Sequence, residues 1–272
     1  GSVDQDPDGT LRTAGSRTIG FVGCGATLEQ ARRKVVGCLD HMQGPLRWRT
    51  DIASSEAIAK KITRMEHLRR PVRIGVMGST RGTDLRSLLE MIANGSLRAT
   101  IAAVFSDRPD APILTLATEH GIPVSAGGIG MPKAALERLA LQTFTNAGVD
   151  LILLIGYMRI LSPSFCTKWW GRLYNVHPSL LPEFAGAMDK DVHLQAIERM
   201  QRTGNCITGC TVHLVSPDVD AGTIILQKHC TISAEDTPDT LKEKVQRLEA
   251  VALAETIALF SKSGGRDMTW EN

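Results

Sequence analysis

From Arg73 onward, short β-rich apolar runs alternate with longer stretches of helical period, and few architectures accept that alternation. Each helical stretch returns the chain over the sheet before the next strand begins, which favours a mostly parallel sheet covered on both faces. The pattern predicts strands over 72–77, 100–105, 149–155, 171–176, 207–215 and 223–232. Helices fit 84–94, 113–120, 132–147, 163–169, 191–203 and 238–262. Thr237-Pro238 supplies a cap and a first-turn proline for the last and longest helix, and Gly264-Gly265 closes it. Its Leu241, Val245, Leu248, Val251 and Ala252 recur at helical spacing and are expected to pack on the sheet. The expected class is α/β, a doubly wound, mostly parallel sheet.

Residues 1–52 do not open that scheme. Arg17–Cys24 reads as a strand, Thr27–Met42 as an amphipathic helix and Leu46–Ile52 as an irregular strand, a small β-α-β appendage too short to be stable alone. Ser54-Ser55-Glu56 caps a further helix over Ala57–Leu68, ended by Arg69-Arg70-Pro71. The expected organisation is an appendage over 1–52, a linker helix over 53–70, the α/β domain over 71–262 and a tail over 263–272.

A chain of 272 residues that is 43% apolar buries a sizeable core, and a formal charge of +2 with both signs interspersed gives no argument for nucleic acid or an anionic membrane. No apolar stretch approaches the ~20 residues of a membrane helix, and the N-terminus lacks the basic and apolar regions of a signal peptide. Gly1-Ser2 reads as a cloning scar. The six cysteines, Cys24, Cys38, Cys166, Cys206, Cys210 and Cys230, are scattered, which suits reduced core thiols in a cytoplasmic protein. Cys206 and Cys210 lack zinc-knuckle spacing and would share one strand face, so no metal is implied.

Three loops carry candidate chemistry. Asn175-Val176-His177-Pro178 follows an apolar run, and residues two apart share one side of an extended chain, so an amide and an imidazole face the same way. Asn175 can donate to a developing oxyanion, and His177 can polarise or protonate it. Asn and His at a strand end are also common structural residues. The turn Gly78-Ser79-Thr80-Arg81-Gly82-Thr83-Asp84 joins a strand to a helix, where backbone N–H groups of Gly82, Thr83 and Asp84 suit an anion. It is neither GxGxxG nor a Walker loop, and its plain alternative is a helix start capped by Thr83 or Asp84. Tyr157-Met158-Arg159-Ile160-Leu161-Ser162-Pro163 leaves a central strand, where Met158, Ile160 and Leu161 either line a slot for a flat heterocycle or form a buried connection. In Ser216-Pro217-Asp218-Val219-Asp220-Ala221-Gly222, Asp218 or Asp220 can reach an imidazole and raise its pKa, or serve as a turn residue.

Taken together, residues 72–262 resemble the phosphoribosylglycinamide formyltransferases through the phosphate turn, Met158 to Pro163, Asn175 to Pro182, Thr211-Val212-His213, Asp218 to Gly222, and Gln246-Arg247-Leu248-Glu249. The resemblance implies a Rossmann-type doubly wound sheet with ligands at the carboxyl strand ends. It puts the catalytic amide, imidazole and carboxylate on Asn175, His177 and Asp220, and the phosphate turn on Gly82, Thr83 and Asp84. Gly156 and Pro178 would flank the glycinamide arm, Glu249 would bind the ribose hydroxyls, and Met158, Arg159, Ile160, Leu161 and Val219 would hold the pterin. The implied reaction moves a formyl group from 10-formyltetrahydrofolate to the amine of glycinamide ribonucleotide, with no metal and no covalent enzyme intermediate. Asp220 would hold His177 charged and pass the proton through water.

Three departures stand out: Asp84 where the family usually has Asn, the longer segment Gly186 to His193, and Ala221 in place of a frequent Gly. The appendage resembles the C-terminal end of phosphoribosylamine-glycine ligase through Arg17 to Gly23, Thr27 to Ala31 and Arg47 to Ile52, which implies a fragment of a ligase-transformylase fusion without ligase activity. The alternatives are another formyl-folate transferase or hydrolase, and a non-catalytic folate or nucleotide binder. Methionyl-tRNA and sugar-nucleotide formyltransferases would add a C-terminal domain, and a hydrolase an N-terminal regulatory one. Gly20-Phe21-Val22-Gly23-Cys24-Gly25 hints at a nicotinamide oxidoreductase, but the third glycine of a dinucleotide fingerprint is missing.

Overall fold

The structure is a computed structural model and describes residues 3–5, 7–8, 11–13, 21–41, 52–186 and 190–263. The chain divides into two units, Gly1–Glu66 and His67–Asn272. In the first, β1 (Val3–Gln5) and β2 (Leu11–Thr13) pair antiparallel, a hairpin that the polar, Asp-rich opening does not advertise. Helix α1 (Leu28–Leu39) is capped by the Thr27 hydroxyl, which accepts the Gln30 N–H at 3.2 Å. None of its residues is buried. The strand expected over 17–24 is not seen in its described part, 21–24, and that over 46–52 lies outside the described residues except for Ile52, which sits in a turn. Helix α2 (Ser55–Arg69) starts where Ser54 Oγ accepts the Ala57 N–H at 3.1 Å.

The second unit runs β3 (Val72–Met77), α3 (Thr83–Ala93), β4 (Ala99–Ser106), α4 (Pro112–Glu119), β5 (Val124–Ala126), α5 (Lys133–Asn146), β6 (Leu151–Leu154), α6 (Pro163–Lys168), β7 (Leu173–His177), α7 (Lys190–Thr203), β8 (Ile207–Leu214), β9 (Ile224–Thr231) and α8 (Pro238–Lys262). Its seven-stranded sheet has the order β5-β4-β3-β6-β7-β8-β9. Pairing is parallel from β5 to β7 and antiparallel for β8 and β9, as expected of a mostly parallel doubly wound sheet. The three-residue edge strand β5 escapes the sequence pattern because it follows Pro123 and is too short to show alternation.

The sheet separates two apolar layers. One centres on Ile74, Val76, Leu85, Leu151, Leu153, Val212, Leu241 and Leu253, and the other on Met77, Phe105, Leu136, Phe144, Ile152 and Trp169. β3 and β6 alternate between them, because successive strand residues point to opposite faces. The Arg70 guanidinium grips both oxygens of Asp150 at 2.7 and 2.5 Å, which ties the entry of β3 to that of β6. In α8, Leu241, Val245 and Ala252 are fully buried and Leu248 packs at the margin, whereas Val251 faces solvent, contrary to expectation. Of the cysteines, Cys166 and Cys210 are buried, but Cys24 and Cys38 are exposed, and Cys206 precedes β8 rather than sharing a face with Cys210. Among the described residues no helix is long and apolar enough to cross a membrane.

Candidate active site

Strand order reverses between β3 and β6, and the loops leaving the carboxyl ends of β3, β6 and β7 open there into a cleft of about 940 Å³. Its wall includes Asn175, His177, Pro178, Asp220, Thr83, Asp84, Gly156, Glu249, Met158, Arg159, Ile160, Leu161 and Val219. Gly82 is the one sequence-assigned site residue that is not on the wall. It is the N-cap of α3, with φ 71° and ψ 39°, in place of the expected Thr83 or Asp84. A Cβ there would also lie 2.6 Å from the Ile113 side chain, so glycine is needed for both conformation and space. The first helical bond runs from Arg86 N–H to the Gly82 carbonyl, leaving the N–H groups of Thr83 and Asp84 ahead of it, at the positive end of the helix.

Asn175 and His177 sit two apart on β7, so their side chains leave on one face while Tyr174 enters the core. Sheet register places Asn175 directly opposite His213 of β8. Asn175 Nδ2 is 3.1 Å from His213 Nε2, and His213 Nδ1 is 2.9 Å from the Leu214 carbonyl. That carbonyl can only accept, so Nδ1 carries the proton; a neutral ring then accepts one N–H from Asn175 at Nε2, whereas in a charged ring Nε2 becomes a donor toward Asp220. The other Nδ2–H of Asn175 remains for a ligand. Asp220 closes the group, with Oδ2 at 3.3 Å from His177 Nδ1 and Oδ1 at 3.5 Å from His213 Nε2. The Gly186 N–H donates to Asp220 Oδ2 at 2.9 Å.

Electrostatics inside the cluster pull in opposite directions. Burial pushes the Asp220 carboxyl up, but the His213 ring, the Gly186 N–H and the His177 ring outweigh it, so its pKa lies below the ordinary carboxyl value. For His177 burial wins, and its pKa is lowered despite the pull of Asp220 and of the Phe184 carbonyl, 3.2 Å from Nε2. Asp220 acts upward on the ring as expected, but burial outweighs it, which corrects the expectation that Asp220 holds His177 charged. Both ring nitrogens nevertheless face acceptors, so the charged ring is geometrically provided for. Asp84 is only 8% exposed, its Oδ1 has no hydrogen-bond partner, and burial raises its pKa from 3.8 to about 7.

One residue outside the sequence reading stiffens the other half of the cleft. Asp107, at the end of β4, accepts from Ser79 Oγ at 2.5 Å and from Arg159 Nε at 2.6 Å, linking the turn after β3 to the loop after β6. Ser79 N–H also donates to the Gly156 carbonyl at 3.0 Å. Gly156 has φ 60°, and a Cβ on it would fall 2.2 Å from Thr80 Oγ1. Next to this brace, Met158, Ile160 and Val219 are exposed apolar side chains, while Leu161 is buried at the base. Such walls suit one face of a flat ring. Among the described residues no group of three or more His, Cys, Asp and Glu is arranged to hold a metal ion.

Residues 72–257 match the formyl transferase family. The chain belongs to that family. It is 38% identical over 186 residues to the human trifunctional purine biosynthetic protein adenosine-3, covering 66% of this chain and 17% of that protein. It thus spans less than a fifth of the length of the curated relatives it matches. Among solved structures it resembles a glycinamide ribonucleotide transformylase from Symbiobacterium toebii, with a TM-score of 0.64 and 34% identity over 71% of this chain and 89% of the other. A formyltetrahydrofolate deformylase from Pseudomonas syringae has a TM-score of 0.63 and 25% identity over 72% and 63% of the two chains.

Two of the departures from the family pattern have a structural answer. In the 216–222 loop of this formyl transferase the left-handed residue is Asp220, with φ 52°, and Ala221 is not in that region, so its Cβ carries no backbone strain. The glycine that the loop requires is Gly222, where a Cβ would lie 1.6 Å from the Leu214 carbonyl oxygen. Gly222→Ala is expected to push the loop off β8, withdraw Asp220 from His177 and lower turnover about 10–10²-fold, read by steady-state kinetics beside an unchanged far-UV spectrum. The longer segment after Pro182 is held at one end by Glu183, which accepts from Ser179 through its backbone and pairs with Arg199. Residues 187–189 lie outside the described residues.

Proposed function

We propose that this chain transfers the formyl group of 10-formyltetrahydrofolate to the primary amine of glycinamide ribonucleotide, as one cytoplasmic step of purine synthesis. The observation that carries the reading is the convergence of Asn175, His177 and Asp220 on one cleft wall beside the open helix N-terminus of α3. The phosphate is assigned to the N–H groups of Thr83 and Asp84, the ribose hydroxyls to Glu249, and the glycinamide arm to the passage between Gly156 and Pro178. The pterin is assigned to the apolar wall of Met158, Ile160, Leu161 and Val219, with Arg159 fixed by Asp107.

The amine attacks the formyl carbon, and negative charge collects on the formyl oxygen. Asn175 donates its free Nδ2–H to that oxygen, and His177 donates from Nε2, where the Phe184 carbonyl already occupies an accepting position at 3.2 Å. His177 is mostly uncharged at rest because burial lowers its pKa, and it charges as the oxyanion forms beside Asp220. The amine loses a proton and the leaving nitrogen of the folate gains one. Asp220 and its ring partner relay that proton through water.

The test is a steady-state assay with both substrates. Formylated ribonucleotide as product supports the reading, whereas formate release without ribonucleotide supports a hydrolase, and neither product supports a binder. Thr83→Ala keeps the backbone N–H but removes the Thr83 hydroxyl from the cleft wall, and is expected to raise the ribonucleotide KM about tenfold with kcat little changed, because that hydroxyl's hydrogen bond to the charged phosphate is lost from ground and transition states alike. We also assign residues 1–52 to the end of a phosphoribosylamine-glycine ligase, fused upstream in the full protein. An upstream reading frame without ATP-grasp character overturns that assignment.

A further inference from the structure

We infer that Asp84 meets the ribonucleotide phosphate as a protonated carboxyl group that donates a hydrogen bond, so that each ribonucleotide bound brings one proton into the cleft. The inference rests on the phosphate assignment above and concerns a residue that departs from the family's amide. Asp84 is in the first turn of α3, nine-tenths buried, on the cleft wall, and one of its oxygens has no partner. A buried polar atom left without a partner, aimed into a cleft, marks a place where a ligand completes the bonding. An ionised carboxyl cannot do so for a phosphate dianion, since both are anions and both only accept. The protonated acid has the shape of the amide it replaces and, like the amide, offers a donor.

The surroundings hold the proton on. On the same cleft wall Glu249 of α8 is also buried, at 7% exposure, and the Cys210 thiol of β8 is raised first by its own burial and then by Glu249, with a further push from Asp84. Two carboxyl groups thus lie within electrostatic reach of one buried thiol, in surroundings where burial itself disfavours the ionised form of Asp84. α8 also brings Asp239, Lys242 and Glu243 to the wall, α7 brings His193, and the turn brings Arg81. β4, which also packs on α3, carries no titratable side chain. Burial sets the Asp84 pKa near 7, so an incoming phosphate completes a protonation that is already half made at neutral pH.

The test is calorimetric titration of the chain with glycinamide ribonucleotide at about pH 6.5, 7.5 and 8.5, in two buffers of different ionisation heat at each pH. Wild type should take up close to one proton per ribonucleotide at the highest pH, and its affinity should fall about tenfold between the upper two values. Asp84→Asn should bind as wild type does at the lowest pH, with no uptake and a flat profile. Flat affinity without proton uptake in wild type overturns the inference while leaving the functional reading intact, and so does uptake that persists in Asp84→Asn. If the variant does not fold, the wild-type buffer comparison still overturns the inference wherever it shows no proton uptake. Ribonucleotide that fails to bind wild type at every pH overturns the functional reading and this inference with it.

Discussion

Asp220→Asn should lower turnover about 10³-fold while leaving the ribonucleotide KM within about threefold of wild type. The substitution keeps size and one acceptor oxygen, so the 216–222 loop retains its hydrogen bond from Gly186, but it removes the charge that opposes burial at His177. Burial already lowers the His177 pKa, and Asp220 is the largest force acting upward on it. Without that force the charged ring retreats to still lower pH, and the oxyanion loses a cationic donor at the moment it forms. Asp220 itself stays ionised in wild type, because His213, Gly186 and His177 hold its pKa below the ordinary value. The wild-type rate should therefore show no acid limb from Asp220 in the neutral range. A pH–kcat profile of both proteins checks this, and near-normal turnover in Asp220→Asn would remove the carboxylate from the chemistry.

The sheet was legible because β3, β4 and β6 are buried on both faces and read as largely apolar runs between helical stretches. Helix α8 was legible to the residue, since Thr237 and Pro238 mark its start and Thr237 and Thr240 form a reciprocal cap. The short edge strand β5 and the β1–β2 hairpin were not, because three residues cannot display a period. In the cleft, Asn175 and His177 were visible from their spacing alone, whereas Asp220 could not be separated from Asp218 without the family resemblance.

His213 shows what a linear reading lacks. It entered only as part of a motif, yet the antiparallel register sets it opposite Asn175, and that pairing exists only once the strand order is known. Asp107 is similar: its partners Ser79 and Arg159 are distant in sequence and meet at the strand ends. The downward shift at His177 is a matter of burial, which no motif reports.

Asn175→Ala should cost about 10²–10³ in kcat, with the KM values for both substrates within a few-fold of wild type. The amide is not a ground-state anchor. One of its N–H groups is spent on His213 Nε2 at 3.1 Å, and that bond fixes the direction of the second. The second N–H gains most when the formyl oxygen becomes an anion, so its removal is felt in the transition state and little in binding. His213→Ala should therefore give a milder loss, about tenfold, because Asn175 keeps its donor but is free to turn. The pair can be resolved by a double-mutant cycle. If His213 acts by orienting the amide, the double variant falls no further than Asn175→Ala alone, whereas multiplied losses would give His213 a separate role, through its contact with Asp220 at 3.5 Å.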